Sequence, residues 1–149
     1  MTQTLNGILI TPFGIIKQIK LVLDNYDNET GKYDYIAGET ILESGENVTA
    51  YFTEILPHDE NLALVYQEED KGCTNWIPNT AARIVENAIS TNPTPVDVTD
   101  AYGLIWGDVV VVGTRLEDGV PVYFDASDED EKRISEIVRT FKPEIFTGI

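Results

Sequence analysis

The chain of 149 residues carries 26 Asp+Glu against 10 Lys+Arg, a formal net charge of −16, with 42% hydrophobic and 24% charged residues. Its length suits a single domain that buries its own core without disulfide or metal support, and its apolar content is ordinary for a globular chain. The charge excludes a nucleic-acid binder working through a basic face and a protein that docks on anionic lipid, while one Cys and one His exclude a disulfide framework and most zinc sites.

The N-terminus has no positive residues ahead of an apolar run, and apolar stretches such as Val109–Val112 and Leu62–Tyr66 are far below the ~20 residues of a membrane span. A cytoplasmic location, in a bacterial host cell, is expected. On that expectation the sequons Asn28-Glu-Thr30 and Asn47-Val-Thr49 are accidental.

In chain order, Gly7–Ile10, the turn residues Thr11-Pro-Phe-Gly14 and Ile15–Leu23 predict a hairpin. Asp24–Lys32 has almost nothing to bury and reads as a solvated loop, and Tyr33–Glu46 is mixed, with Ile36, Ile41 and Leu42 as apolar anchors. Val48–Leu56 reads as one strand ending before Pro57, and Leu62–Tyr66 as another. Asn79–Ile89 predicts a helix capped by Asn79, with Ala81, Ile84, Val85, Ala88 and Ile89 on one face, broken by Ser90–Pro95. Gly103–Gly113 reads as a central strand kinked at Gly107. Its unbroken Val109–Val112 run implies burial on both faces. The Asp118-Gly119 pair turns the chain back into Val120–Phe124. A last helix starts at Ser127 with Asp130 three residues on, carries Ile134, Ile137, Val138 and Phe141 as its stripe, has Arg139 and Lys142 near its end, and stops at Pro143. The expected fold is one α+β domain spanning residues 1–149: a mostly antiparallel sheet with two helices, and an acidic elaboration at about 24–47.

Candidate chemistry is sparse. Cys73 and His58 are the sole thiol and imidazole, and neither sits in a nucleophile signature. Walker, Rossmann, HExxH and GxSxG patterns are absent. Asp24–Glu29 and Asp125–Glu131 are rich in oxygen ligands, yet neither has the glycine and terminal Glu spacing of a calcium loop, and helix capping accounts for Asp128–Asp130. Carboxylate pairs of the kind that hydrolyse glycosides occur by chance in so acidic a chain. No catalytic residue, cofactor or metal is therefore expected.

Charge distribution says more. Thirteen acids and one base, Lys32, lie between Asp24 and Asp70, and seven acids with no base lie in Glu117–Glu131. On one face they would steer a basic partner. Sixteen excess charges match about 27 Å of duplex at one charge per ~1.7 Å, against a domain diameter of about 38 Å. A short-duplex mimic is thus feasible, though acidic surfaces also serve protein binding without mimicry, or solubility alone. The expected contact residues are Asp34, Glu39, Glu43, Glu46, Glu54, Asp59, Glu60, Glu68, Glu69 and Asp70. Tyr33, Tyr35, Tyr51 and Phe52 are possible anchors, each also explicable as core.

Ile8–Ile16, Leu62–Tyr66, Pro78–Ala82 and Ile105–Gly113, in that order, resemble the DUF3846 family of small acidic proteins of phages, plasmids and integrated elements. The resemblance spans about two-thirds of the chain, and this sequence departs from the family pattern at Thr74–Ile77. It implies a mobile-element origin and carries over no site residues. The combined expectation is a protein that binds and inhibits a basic host nuclease or other nucleic-acid-handling defence enzyme, of restriction or CRISPR type. Neither direct nucleic-acid nor membrane binding is expected. The alternative is a small carboxylate-dependent or metal-dependent enzyme.

Overall fold

The computed structural model describes residues 2–27, 29, 32–41, 44–52, 54–58, 61–66, 79–89 and 107–140, and at 32, 54 and 56–58 the backbone alone. Its elements are β1 (Thr2–Ile10), β2 (Ile16–Asp27), β3 (Lys32–Ile41), β4 (Asn47–Tyr51), β5 (Glu54–His58), β6 (Leu62–Tyr66), α1 (Thr80–Ala88), β7 (Val109–Glu117), β8 (Val120–Phe124) and α2 (Asp128–Thr140). All strand pairs are antiparallel, in the order β4-β3-β2-β1-β7-β6-β5 with β8 on β7. The fold is α+β, as the pattern of strands and two helices predicts.

The sheet is curled. Strands β4 and β5 stand at opposite ends of that order, yet only residues 52–53 separate them. Three Cα steps reach at most about 11 Å, so the sheet must roll until its two ends approach. Its inner face holds Leu5, Leu9, Leu21, Leu23, Ile36, Phe52, Ala63, Val65, Val110, Val112 and Tyr123. Gly7 lies between Leu5 and Leu9 where the roll is tight: a Cβ there would overlap the Val110 side chain. On the outer face, Ile8, Ile10, Leu62, Leu64, Val109 and Val111 are covered by Ala81, Ala82, Val85 and Ile89 around α1 and by Ile134 of α2. The valine run therefore feeds both layers, and Val109–Val112 are each no more than 1% exposed.

Local chemistry sets the connections. The Thr11 hydroxyl accepts from the Ile15 N–H at 3.0 Å, closing the first hairpin. Asp118 and Gly119 both have positive φ, 51° and 79°, the geometry a two-residue hairpin requires. Asn79 caps α1 through Oδ1, which accepts from the Ala82 N–H at 2.9 Å. Ser127 and Asp130 make the reciprocal box at α2, with N–H to side-chain oxygen distances of 2.9 and 3.1 Å.

Two sequence expectations need correction. Asp24–Lys32 is not all loop, because β2 continues to Asp27 and β3 begins at Lys32. Tyr26 and Tyr33 pair across this polar extension and supply its contacts. Val48–Leu56 is two strands, since the chain leaves β4 at Phe52, whose N–H donates to the Ile36 carbonyl at 2.9 Å and whose side chain is 4% exposed. Pro57 lies within β5, the terminal strand of the order, where an edge position needs no second ladder donor. Ser90–Pro95, residues 103–106 and the segment from Phe141 to Pro143 fall outside the described residues.

Candidate partner-binding surface

Helices α1 and α2 cover only part of the outer face. The strand register maps what they leave open. One row across the sheet runs Thr4, Val22, Ala37, Tyr51, and the next places Asn6 beside Lys20 and Glu39 beside Thr49. Asp24 pairs with Tyr35 on the other side of the first row. Tyr35 and Tyr51 are 42% and 55% exposed, and Val22 is 37% exposed. The two tyrosine rings meet edge to face with centroids 5.8 Å apart, leaving Ala37 only 6% exposed among its neighbours. A solvated face of an antiparallel sheet normally alternates to polar residues. Here two aromatics and a valine stand on it, from the central strands β2 and β3 to the edge strand β4.

The surroundings are acidic. Asp24 and Glu39 lie on the face itself, and Glu46 is exposed immediately before β4. Across β1, Asp125 Oδ1 accepts from the Asn6 N–H at 2.8 Å. At the first turn of α2, Asp128 and Glu131 each accept from the Gln18 amide at 2.6 Å. Asn6, Lys17, Gln18, Ile19, Lys20, Glu39, Ile41 and Asn47 line a groove of about 360 Å³ along this boundary. Among the described residues Lys17 and Lys20 are its only bases, against carboxylates on both sides.

Among the expected contact residues, Asp34, Glu39 and Glu46 are exposed. Asp34 and Glu39 are five residues apart on β3, about 17 Å at ~3.4 Å per residue, so the described acids form a string rather than one cluster. Glu54 is placed by its backbone in β5. Glu43, Asp59, Glu60, Glu68, Glu69 and Asp70 lie outside the described residues, as do Cys73 and the His58 side chain. Of the four candidate anchors, Tyr35 and Tyr51 are on the surface, whereas Phe52 and Tyr33 pack with the inner cluster. Asp125, Asp128 and Glu131 were not among the expected contacts; their signal was the base-free Glu117–Glu131 stretch.

Elsewhere, burial pushes the Asp108 carboxyl up, partly opposed by a hydrogen bond with Thr40. Among the described residues no group of three or more His, Cys, Asp or Glu side chains is placed to hold a metal ion, and no helix is long and apolar enough to cross a membrane. No family model, curated protein or solved structure matches the chain.

Proposed function

We propose that this protein binds a basic protein through the open face of β1–β4, its carboxylates taking the positions that nucleic-acid phosphates occupy on that partner. The observation that carries the reading is the exposed Tyr35–Tyr51 pair set among Asp24, Glu39 and Glu46 in a chain of net charge −16. Tyrosines bury large area at low entropic cost and are enriched at the centres of interfaces, and surrounding charge sets encounter rate and selectivity. Charge-assisted bonds from Arg or Lys to these carboxylates supply the specific contacts.

Geometry sets the extent of the contact. Four strands spaced about 4.8 Å apart, each about five residues long across the face, give a patch of roughly 19 by 17 Å. That is well below the ~800 Å² per partner of a specific interface. The partner must therefore also reach the acidic rim, namely the β2–β3 hairpin with Asp27 and Glu29 and the α2 end with Asp125 and Asp128.

The resemblance of four segments to the DUF3846 proteins supplies the class of partner, a nucleic-acid-handling defence enzyme of a bacterial host, which this chain would inhibit in the cytoplasm as a mobile-element product. Capture from host lysate tests this, with mass-spectrometric identification at about 0.05 and 0.5 M salt, between which the Debye length shrinks severalfold. The expected result is a nucleic-acid enzyme retained at low salt and displaced by duplex DNA or guide RNA. A captured protein that neither salt nor nucleic acid displaces would contradict the proposal.

A further inference from the structure

A second cleft lies on the inner side of the sheet, away from the proposed docking face. Asn25 sits in the left-handed region with φ 59°, between the pairs Asp24–Tyr35 and Tyr26–Tyr33. Past this break, Tyr33 packs with the inner cluster although Tyr35 stays exposed outside. The ring centroids of Tyr26 and Tyr33 are 4.8 Å apart, and those of Tyr33 and Tyr123 are 6.2 Å apart, with neighbouring planes tilted by 51° and 52°. These three rings, with Thr2, Gln3 and Val122, line a cleft of about 440 Å³. Its volume falls within the range of small-ligand sites.

Among the described residues, hydrogen bonds hold Tyr26, Tyr33 and Gln3 but not the Tyr123 hydroxyl. Tyr33 OH donates to Gln3 Oε1, Tyr26 OH donates to the Pro121 carbonyl at 2.8 Å, and Gln3 Nε2 donates to the Tyr123 carbonyl at 3.1 Å. Tyr123 is only 6% exposed, yet among the described residues its hydroxyl has no hydrogen-bond partner. Buried phenols normally find one. The bonds of Tyr26, Tyr33 and Gln3 hold the rings in place.

The lining selects a ligand chemistry. Among the described residues it contains no Lys or Arg to receive a phosphate or carboxylate. Three of its six lining residues are tyrosines, whose ring quadrupole attracts cations, in a protein whose net charge of −16 concentrates them. Burial pushes the Tyr33 phenol up to about 12 and the Tyr123 phenol upward too, so both are neutral at physiological pH. We propose that the cleft of Tyr26, Tyr33 and Tyr123 binds an alkylammonium cation, its methyl groups against the rings and a neighbouring polar atom on the Tyr123 hydroxyl. A methylated lysine side chain and a small quaternary amine share this chemistry.

The test uses choline and 3,3-dimethylbutan-1-ol, which have the same shape and hydroxyl and differ in charge. Both are titrated into the intact wild-type chain while their methyl proton resonances are followed. Choline is expected to show a saturable upfield ring-current shift and to bind about 10-fold or more tightly than the neutral alcohol. Tyr26→Leu, confirmed as folded by circular dichroism, is expected to weaken choline by about 2- to 30-fold, the range for loss of one cation–π contact. A trimethyllysine peptide that outbinds choline assigns the site to a protein side chain, and the reverse order assigns it to a small amine. Absence of a saturable choline shift, or equal affinity for choline and the neutral alcohol, overturns the proposal without reference to any variant. Tyr51→Ala on the opposite face leaves choline binding unchanged, so this site and the docking face fail or succeed separately.

Discussion

Replacing Asn79 by alanine removes three hydrogen bonds from a fully buried side chain. Oδ1 accepts from the Ala82 N–H at 2.9 Å, while Nδ2 donates to the Ile10 carbonyl at 2.8 Å and to the Gly107 carbonyl at 2.7 Å. One residue thereby ties the start of α1 to the end of β1 and the approach to β7. Loss of the cap costs about 1 kcal/mol. Each stranded carbonyl adds about 1–3 kcal/mol if water does not reach it. The expected total is about 3–7 kcal/mol, a large share of the ~5–15 kcal/mol that stabilises a typical domain. With a urea m-value near ~2 kcal/mol/M, the unfolding midpoint falls by about 1.5–3.5 M. Asn79→Ser separates the parts: its hydroxyl keeps the cap and gives up both donors to the carbonyls, so it belongs between wild type and alanine. Urea unfolding followed by far-UV circular dichroism measures all three proteins. If both variants unfold within about 0.5 kcal/mol of wild type, Asn79 is a surface cap and not a buried tie, and the reasoning fails.

Val111→Asp places a charge beneath α1 and α2 at a position with 0% exposure, and a loss of several kcal/mol is expected in the same assay. Asp108 has a folded pKa above the ordinary 3.8 because of burial, so its ionisation opposes folding: that part of stability is full below pH 3.8 and lost as pH rises through the folded value. Asp108→Asn is therefore expected to raise the urea midpoint at pH 7 and to lose that advantage as pH falls toward 3.8. Tyr33, raised by burial from 10.0 to about 12, contributes stability that is complete below pH 10 and falls between pH 10 and 12. Ultraviolet titration should show Tyr33 and Tyr123 as late phenols, of which Tyr33→Phe removes the one near pH 12.

Strong local signals translated directly into structure. The Asn79 and Ser127–Asp130 caps, the Asp118-Gly119 turn and the Val109–Val112 run each specify their element through contacts within a few residues. The Asp24–Lys32 segment misled because its strands are held by one tyrosine pair and a left-handed Asn25, neither of which has a periodic signature. Tyr33 and Tyr35, two residues that strict alternation would place on one face, also part: Tyr33 packs with the inner cluster and Tyr35 is exposed. The split at Phe52 belongs to the roll of the sheet, a long-range property that no window of sequence contains. As for the surface, charge counting located its acidity but not its centre. Tyr35 and Tyr51 meet through the β3–β4 register, sixteen residues apart in the chain.

The central claim is that position, and not merely total charge, governs partner binding. Glu39→Lys with Glu46→Lys, and Glu117→Lys with Glu136→Lys, change the net charge equally, from −16 to −12, and all four residues are exposed. The first pair borders the Tyr35–Tyr51 face, whereas Glu117 ends β7 beside Arg115 and Glu136 lies on α2 beside Arg139. The decisive measurement is the association rate of each variant with the partner captured by wild type, at about 0.05 M salt. The account predicts that the first pair slows association severalfold or more while the second stays close to wild type. Equal slowing by both pairs, or by neither, would contradict it.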